Sequence, residues 1–219
     1  MNIYLVVEGP VGERQVYAHW IPLVNRRLTV VTTLESVVSN NVIIFSGGGY
    51  PNYFEVIEAG VRDVDANDTF DRLVVAVDSE ELSYQEKLEE IEEFIKSLGV
   101  GIDYRIVVQH FCLETWALGN RLIVPRQPKD TKVREYRRHY DVLINDPEKL
   151  TAYALEDWTR AQFAERYLRR LLNEKYRNLT YTKSNPSALL HDKYFERVKS
   201  RFTETGHIPS FELFLNAFV

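Results

Sequence analysis

Residues 3–20 read IYLVVEGPVGERQVYAHW. Five strand-favouring residues, Ile3 to Val7, stop at Glu8-Gly9. From Val11 the apolar residues recur at helical spacing, with Val16, Trp20 and Leu23 on one face of a helix over residues 11–24. A short, continuously apolar run followed at once by a helix is how a parallel sheet covered on both faces begins. The same reading places a carboxylate at the end of a buried strand. Burying an ionised carboxylate without a partner is costly, so the fold must supply something that offsets Glu8.

The alternation continues outward. Residues 28–33 (LTVVTT) read as a second strand or an edge, residues 41–45 (NVIIF) as a strand, SGGGYPN from Ser46 as a turn, and residues 53–64 as a helix. Residues 73–77 (LVVAV) form a strand, and residues 83–97 a helix opened by Ser83 and Glu86 in capping-box spacing. Residues 104–108 (YRIVV) form another strand. Beyond residue 112 the strand signals stop, and helical periodicity covers residues 111–118, 151–176, 186–202 and 210–218. The expected fold class is α/β: a mainly parallel sheet flanked by helices over residues 1–110, and a helical half, residues 111–219, packed on it as a C-terminal extension.

Composition narrows the class. The chain has 219 residues, 45% hydrophobic and 12% aromatic, enough to fill a core. No run approaches the roughly 18 apolar residues of a membrane span, and no basic-then-apolar leader opens the chain. The single cysteine, Cys112, excludes an internal disulfide and a multi-cysteine zinc cluster. A soluble cytoplasmic protein with no membrane association is expected. In that setting the Asn178-Leu179-Thr180 glycosylation triplet is a chance match.

The net charge of −5 does not advertise a nucleic-acid binder, but its distribution says more. Arg121, Arg126, Lys129, Lys132, Arg134, Arg137 and Arg138 face only Asp130 and Glu135, a local +5 over residues 121–138. A second basic cluster covers residues 166–177, and the acids concentrate in EKLEEIEEF, residues 86–94. Such separation either gives an acidic protein a basic face or marks solvated helix surfaces.

Open parallel sheets bind ligands at the carboxyl ends of their strands. Glu8 follows IYLVV, and Asp78 and Glu80 follow LVVAV in VVAVDSEE. In an extended continuation, residues i and i+2 point the same way, so Asp78 and Glu80 face one point. If the first and third strands are neighbours, Glu8 joins them. Converging carboxylates repel unless one is protonated or a hard cation sits between them. Oxygen-only ligands suit Mg²⁺ or Mn²⁺. The alternative for each acid is a helix cap or a loop acid. EGPVGE is not a nucleotide P-loop: Gly9 and Gly12 are too close, and Glu13 stands where a lysine is needed.

A strand ending in Glu-Gly and a later strand ending in Asp-x-Asp or a variant resembles the Toprim pattern of topoisomerases, primases and OLD-type nucleases. Glu8 and Gly9 match the Glu-Gly, and Glu13 is the nearest candidate for a second Glu, one residue further than the pattern has it. Asp78 matches the first acid, and Glu80 the second with an extra methylene. HFCLETWALGN resembles a helix start in small Toprim-like proteins of bacterial anti-phage defence, with Glu114 as its acid. YTKSNPSALL resembles their Tyr-x-Lys segment, with Lys183. The resemblance implies metal-dependent cleavage of a nucleic-acid phosphodiester, DNA or RNA. It assigns Glu8 as general acid/base or metal ligand, Asp78 and Glu80 to the metal, with Glu13 and Glu114 as further candidates, and Lys183 to charge stabilisation. It also implies an ATPase partner. A homo-oligomer is allowed.

Other features admit two readings. SGGG carries either phosphate-binding N–H groups or a plain turn. The five histidines lack HxxxH or HxH spacing and read as surface or packed residues, and Cys112 as core. Tyr136 and Tyr140, interleaved with arginines, suit either stacking on bases or an amphipathic helix surface. Arg126, Lys129, Lys132, Arg134, Arg137 and Arg138 are the candidate nucleic-acid contacts. A non-catalytic Toprim-fold adaptor that binds a partner protein is the competing function. A metal-dependent phosphotransferase on a small molecule, which has no need of the basic stretch, is a third.

Overall fold

The computed structural model describes residues 1–66, 68–176 and 181–219. Among them the elements run β1 (Ile3–Val7), α1 (Gly12–Val24), β2 (Thr29–Val31), β3 (Asn41–Ser46), α2 (Tyr53–Ala66), β4 (Arg72–Asp78), α3 (Tyr84–Ser97) and β5 (Tyr104–Gln109). Five helices follow: α4 (Leu113–Ala117), α5 (Thr131–His139), α6 (Arg160–Lys175), α7 (Asp192–Thr205) and α8 (Phe211–Ala217). The α/β fold class expected from the sequence is the one found. The sheet is parallel throughout, in the order β2-β3-β1-β4-β5. Val7 of β1 is level with Ser46 of β3 and Ala76 of β4. The chain moves to one side of β1 for β2 and β3, then crosses to the other for β4 and β5, so β1 is the topological switch point.

The chain divides into two compact units. The first comprises Met1–Val77, Tyr84–Val108 and Glu212–Val219; the second comprises Asp78–Ser83 and Gln109–Phe211. Thus the turn after β4 belongs to the second unit, and the C-terminal end of the chain to the first.

In the first unit the continuous burial of β1 follows from cover on both faces. One face supplies Tyr4, Val6, Leu73, Val75 and Val108, which pack with Ile57 and Val61 of α2 and Ile91 and Ile95 of α3. Gly60 lets α2 approach this face: a methyl there would lie 2.8 Å from the Tyr4 ring. Elsewhere in the unit Phe214 meets the rings of Tyr17 and Trp20 of α1 edge-on, at 5.1 and 6.1 Å.

The second unit is built on α6, whose Phe163, Ala164, Tyr167, Leu168, Leu171 and Leu172 are buried. α4 and α5 pack against it. The sequence predicts one helix over residues 151–176, but α6 begins only at Arg160. The cause is a capping box: Thr159 accepts the Gln162 N–H, and Gln162 accepts the Thr159 N–H. Tyr153 and Trp158, ahead of the cap, stack on each other with ring centres 5.7 Å apart. Helix α5 lies where an amphipathic helix surface is one of the two readings of Tyr136 and Tyr140; its buried residues are Val133 and Tyr136, and Asp130 caps it by accepting the Val133 N–H at 3.1 Å. The expected helix over residues 186–202 instead splits into a 3₁₀ turn at Ser187–Leu189 and α7, which ends at Gly206 with φ 67°.

Trp20 and Trp116 are core residues, as is Cys112, while Trp158 is half-buried. The end of the expected basic cluster, Arg177, and the Asn178-Leu179-Thr180 triplet lie outside the described residues. Among the described residues no helix is long and apolar enough to cross a membrane.

Candidate functional site

In the first unit the turn after β1 is held from several sides. The Glu8 N–H donates to the Ala76 carbonyl of β4 at 3.0 Å, and the Glu8 carbonyl accepts from the Gly49 N–H at 3.0 Å. The Gly47 N–H donates to the Val7 carbonyl at 2.7 Å, and the Ser46 hydroxyl to the Gly9 carbonyl at 3.1 Å. The Gly48 N–H donates to Ser46 Oγ at 3.3 Å. All three glycine N–H groups of SGGG are therefore engaged within the protein, so the segment braces the Glu8 turn and offers no open phosphate loop. Gly48 and Gly49 sit at φ 73° and 84°, the left-handed region that favours glycine.

The Glu13 carboxylate accepts the Gly9 N–H at 2.5 Å. It closes the turn onto the first turn of α1, a common task for an acid at a helix start. Glu8 is half-buried. It adds to burial and to Glu90 in raising the Tyr53 phenol well above its ordinary range. The buried Lys87 ammonium donates to Tyr53 Oη at 3.3 Å and pairs with Glu90 at 2.5 Å.

In the second unit the carboxylates gather by a different route from the expected extension. Asp78 ends β4, and the Ser79 N–H still pairs with the Gln109 carbonyl at 3.0 Å. At Glu80 the backbone turns to φ 51°, and its N–H donates to the Phe111 carbonyl at 3.0 Å. Ser79 Oγ, fully buried, accepts the Phe111 N–H at 2.8 Å and lies 3.2 Å from His110 Nδ1. Arg160 fastens the next residue: its backbone N–H and Nε donate to the Glu81 carboxylate at 2.6 and 3.0 Å. Its guanidinium lies 4.3 Å over the Phe111 ring.

Glu114, on α4, is 2% exposed and accepts from the Tyr181 hydroxyl at 2.7 Å. Two residues beyond Tyr181, Lys183 sits at the tip of a tight turn closed by the Thr182 and Asn185 backbones, at 3.2 and 3.0 Å. Burial works to lower the Lys183 pKa, but Glu114 and Asp78, with Cys112 and Glu80, outweigh it and push the ammonium up. Lys183 is therefore a fixed cation at neutral pH and no general base. Cys112 is driven well above the usual thiol range by burial, Glu114 and Asp78, which leaves it a protonated core residue with no nucleophilic role. Burial and Glu114 likewise keep Tyr181 a hydroxyl donor.

Of the sequence candidates, Asp78, Glu80, Glu114 and Lys183 thus share one electrostatic neighbourhood in the second unit. Glu8 and Glu13 belong to the first unit. Among the described residues no three or more His, Cys, Asp or Glu side chains form a group that could hold a metal ion. Besides Glu114, which is bonded to Tyr181, that neighbourhood holds the carboxylate oxygens of Asp78 and Glu80. Two carboxylates, completed by water and substrate phosphate, are a donor set that suits Mg²⁺.

The basic stretch divides. Arg137 is engaged internally, donating to both Asp141 oxygens at 3.2 and 2.7 Å and to the Pro125 carbonyl at 2.6 Å. Lys132 pairs with Glu135 at 3.0 Å. Arg126, Lys129, Arg134 and Arg138 are exposed and, among the described residues, make no ion pair.

The sequence alone does not single out Tyr181, Ser79 or Arg160. Tyr181 carried one signal, its place in Tyr-x-Lys; the Ser79 and Arg160 bonds join residues 32 and 79 positions apart, with no local pattern. In comparisons with protein-family models, curated proteins and solved structures, nothing matches this chain.

Proposed function

We propose that the chain is a metal-dependent nuclease that hydrolyses nucleic-acid phosphodiesters, DNA or RNA, in the cytoplasm. The observation that carries this reading is the 2.7 Å Tyr181–Glu114 bond at the turn that carries Lys183, whose ammonium is favoured by Glu114, Asp78 and Glu80. A cation that cannot lose its proton, set among carboxylates at the end of a parallel strand, suits a phosphate whose negative charge grows during hydrolysis. Asp78 and Glu80 would hold Mg²⁺ or Mn²⁺, which when bound polarises the phosphate and lowers the pKa of an attacking water. Lys183 takes up charge on a non-bridging phosphate oxygen. Tyr181 fixes Glu114, and with it the field that keeps Lys183 charged. The resemblance assigns Glu8, which follows β1 in the first unit, to acid/base work or to the metal. The exposed Arg126, Lys129, Arg134 and Arg138 supply backbone contacts to the nucleic acid.

The resemblance to small anti-phage Toprim proteins extends the proposal to a defence effector working with an ATPase partner. A second reading, a non-catalytic Toprim-fold adaptor for a partner protein, draws on the Glu13–Gly9 bond, which commits one candidate acid to the backbone.

The deciding experiment incubates the full chain with tRNA, plasmid and single-stranded DNA in Mg²⁺ or Mn²⁺, beside Glu8→Ala and Asp78→Ala variants. Cleavage abolished by both substitutions is the expected result. No cleavage under any condition, with partner binding that survives both, supports the adaptor.

A further inference from the structure

Within the second unit, beside the first turns of α7, lies a cavity of 670 Å³. Small-molecule sites run from roughly 300 to 1,000 Å³. The chemistry of its walls is divided. Lys193 and Arg197, four residues apart, share one face of α7, and His191 stands just before the helix. Asp192 is the acid among the lining residues. Neither Lys193 nor Arg197 makes an ion pair among the described residues. Apolar and aromatic surface comes from Leu122 and Tyr176, both unusually exposed for their type at 56% and 37%.

The third feature is Asn120, 4% exposed and also in the lining. Its Oδ1 accepts the Leu122 N–H at 3.1 Å, which orients the amide. Among the described residues its nitrogen donates to nothing. The amide nitrogen is not sealed from solvent, so its N–H donors are available to an acceptor in the cavity.

We propose that this cavity binds a nucleotide: the planar ring lies against Tyr176 and Leu122, an acceptor edge of the base takes the Asn120 amide, and the phosphate sits on Lys193 and Arg197. The ligand is either a free nucleotide or one unit of a strand. None of these residues belongs to the proposed catalytic set, so the site stands whether or not the chain cleaves nucleic acid.

The test is calorimetric titration of the full chain in EDTA, which removes any cleavage. The probes are the four nucleoside monophosphates, inorganic phosphate, and a single-stranded ten-nucleotide RNA. Saturable binding of at least one monophosphate is expected. It should weaken by at least about tenfold in a Lys193→Ala/Arg197→Ala double variant, the scale of charge-assisted hydrogen bonds. It should weaken also in Asn120→Asp, which keeps the oxygen that accepts Leu122 N–H and removes the donors. Circular dichroism verifies the fold, and where Asn120→Asp disturbs it the double variant carries the test. An RNA that binds more tightly than any monophosphate, through the same residues, identifies a strand unit; the reverse identifies a free nucleotide. The proposal is overturned if no nucleotide binds at millimolar concentration, if the double variant binds as the parent does, or if inorganic phosphate binds as well as every nucleotide.

Discussion

The Tyr181 hydroxyl donates to Glu114 Oε1 at 2.7 Å, across 67 residues of sequence, and both side chains are buried. The bond anchors the turn that carries Lys183 to the helix that carries Glu114. Tyr181→Phe deletes the donor and leaves a buried carboxylate oxygen unsatisfied. The expected loss is about 1–3 kcal/mol, the cost of an orphaned buried polar group. Denaturant unfolding should show a lower midpoint with an unchanged slope.

A second buried carboxyl makes stability depend on pH. Glu148 is 7% exposed, and burial raises it from 4.5 to about 7 against the hydrogen bonds it receives from Ser210. Asp146 pushes in the same direction as burial. Because the folded pKa is the higher one, the folded state holds this proton more tightly. The associated stability is complete below pH 4.5 and is lost as pH rises through about 7. The full swing is at most about 3–4 kcal/mol, at about 1.4 kcal/mol per pKa unit. Unfolding free energies measured across this range should fall with pH for the parent protein. Glu148→Gln should flatten that component, and a slope identical to the parent's would refute the assignment.

Gly47 is required by close approach. A methyl group there would overlap the Tyr53 Cβ, come within 3.0 Å of its Cα, and sit 3.2 Å from the Val7 carbonyl oxygen. Backbone cannot yield as a flexible side chain does. Gly47→Ala should therefore destabilise by about 1–3 kcal/mol, the usual range for overpacking. Thermal unfolding checks this, with Gly101→Ala as the comparison, since no heavy atom lies within 4 Å of a methyl at Gly101.

These cases separate what the sequence makes legible from what it does not. Strands β1, β3, β4 and β5 announce themselves because burial on both faces demands unbroken apolar runs such as Ile3–Val7. Parallel pairing then puts Glu8 and Asp78 at strand ends without any knowledge of contacts. The turn at Glu80 escapes the same logic. A non-glycine residue at φ 51° has no local signature, so the stretch reads as extended, and only the 3.0 Å bond to the Phe111 carbonyl reveals the change of direction. Helix α5 is legible only as one of two readings for a different reason: with two apolar residues facing inward, its periodicity is too brief to decide between a helix surface and a base-stacking stretch. Arg137 read as a nucleic-acid contact because charge is visible in a sequence, whereas its bidentate partner Asp141 becomes evident only once α5 is a helix and the pair is four residues apart.

The last prediction concerns Lys183. Glu114, Asp78 and Glu80 push its pKa up against burial and favour the ammonium. If the proposed hydrolysis is correct, its pH profile owes nothing to titration of this lysine. Lys183→Met removes the charge while keeping much of the aliphatic length. Loss of one preorganised charge at a developing oxyanion costs about 100- to 1,000-fold in turnover. Lys183→Arg preserves the charge with a different geometry and should recover part of that loss. Single-turnover cleavage assays on all three proteins, run across a pH series, check both claims. Equal rates in the parent and Lys183→Met would remove this residue from the reaction. A parent profile that loses an alkaline limb in Lys183→Met would show instead that the lysine titrates, against the field of carboxylates around it.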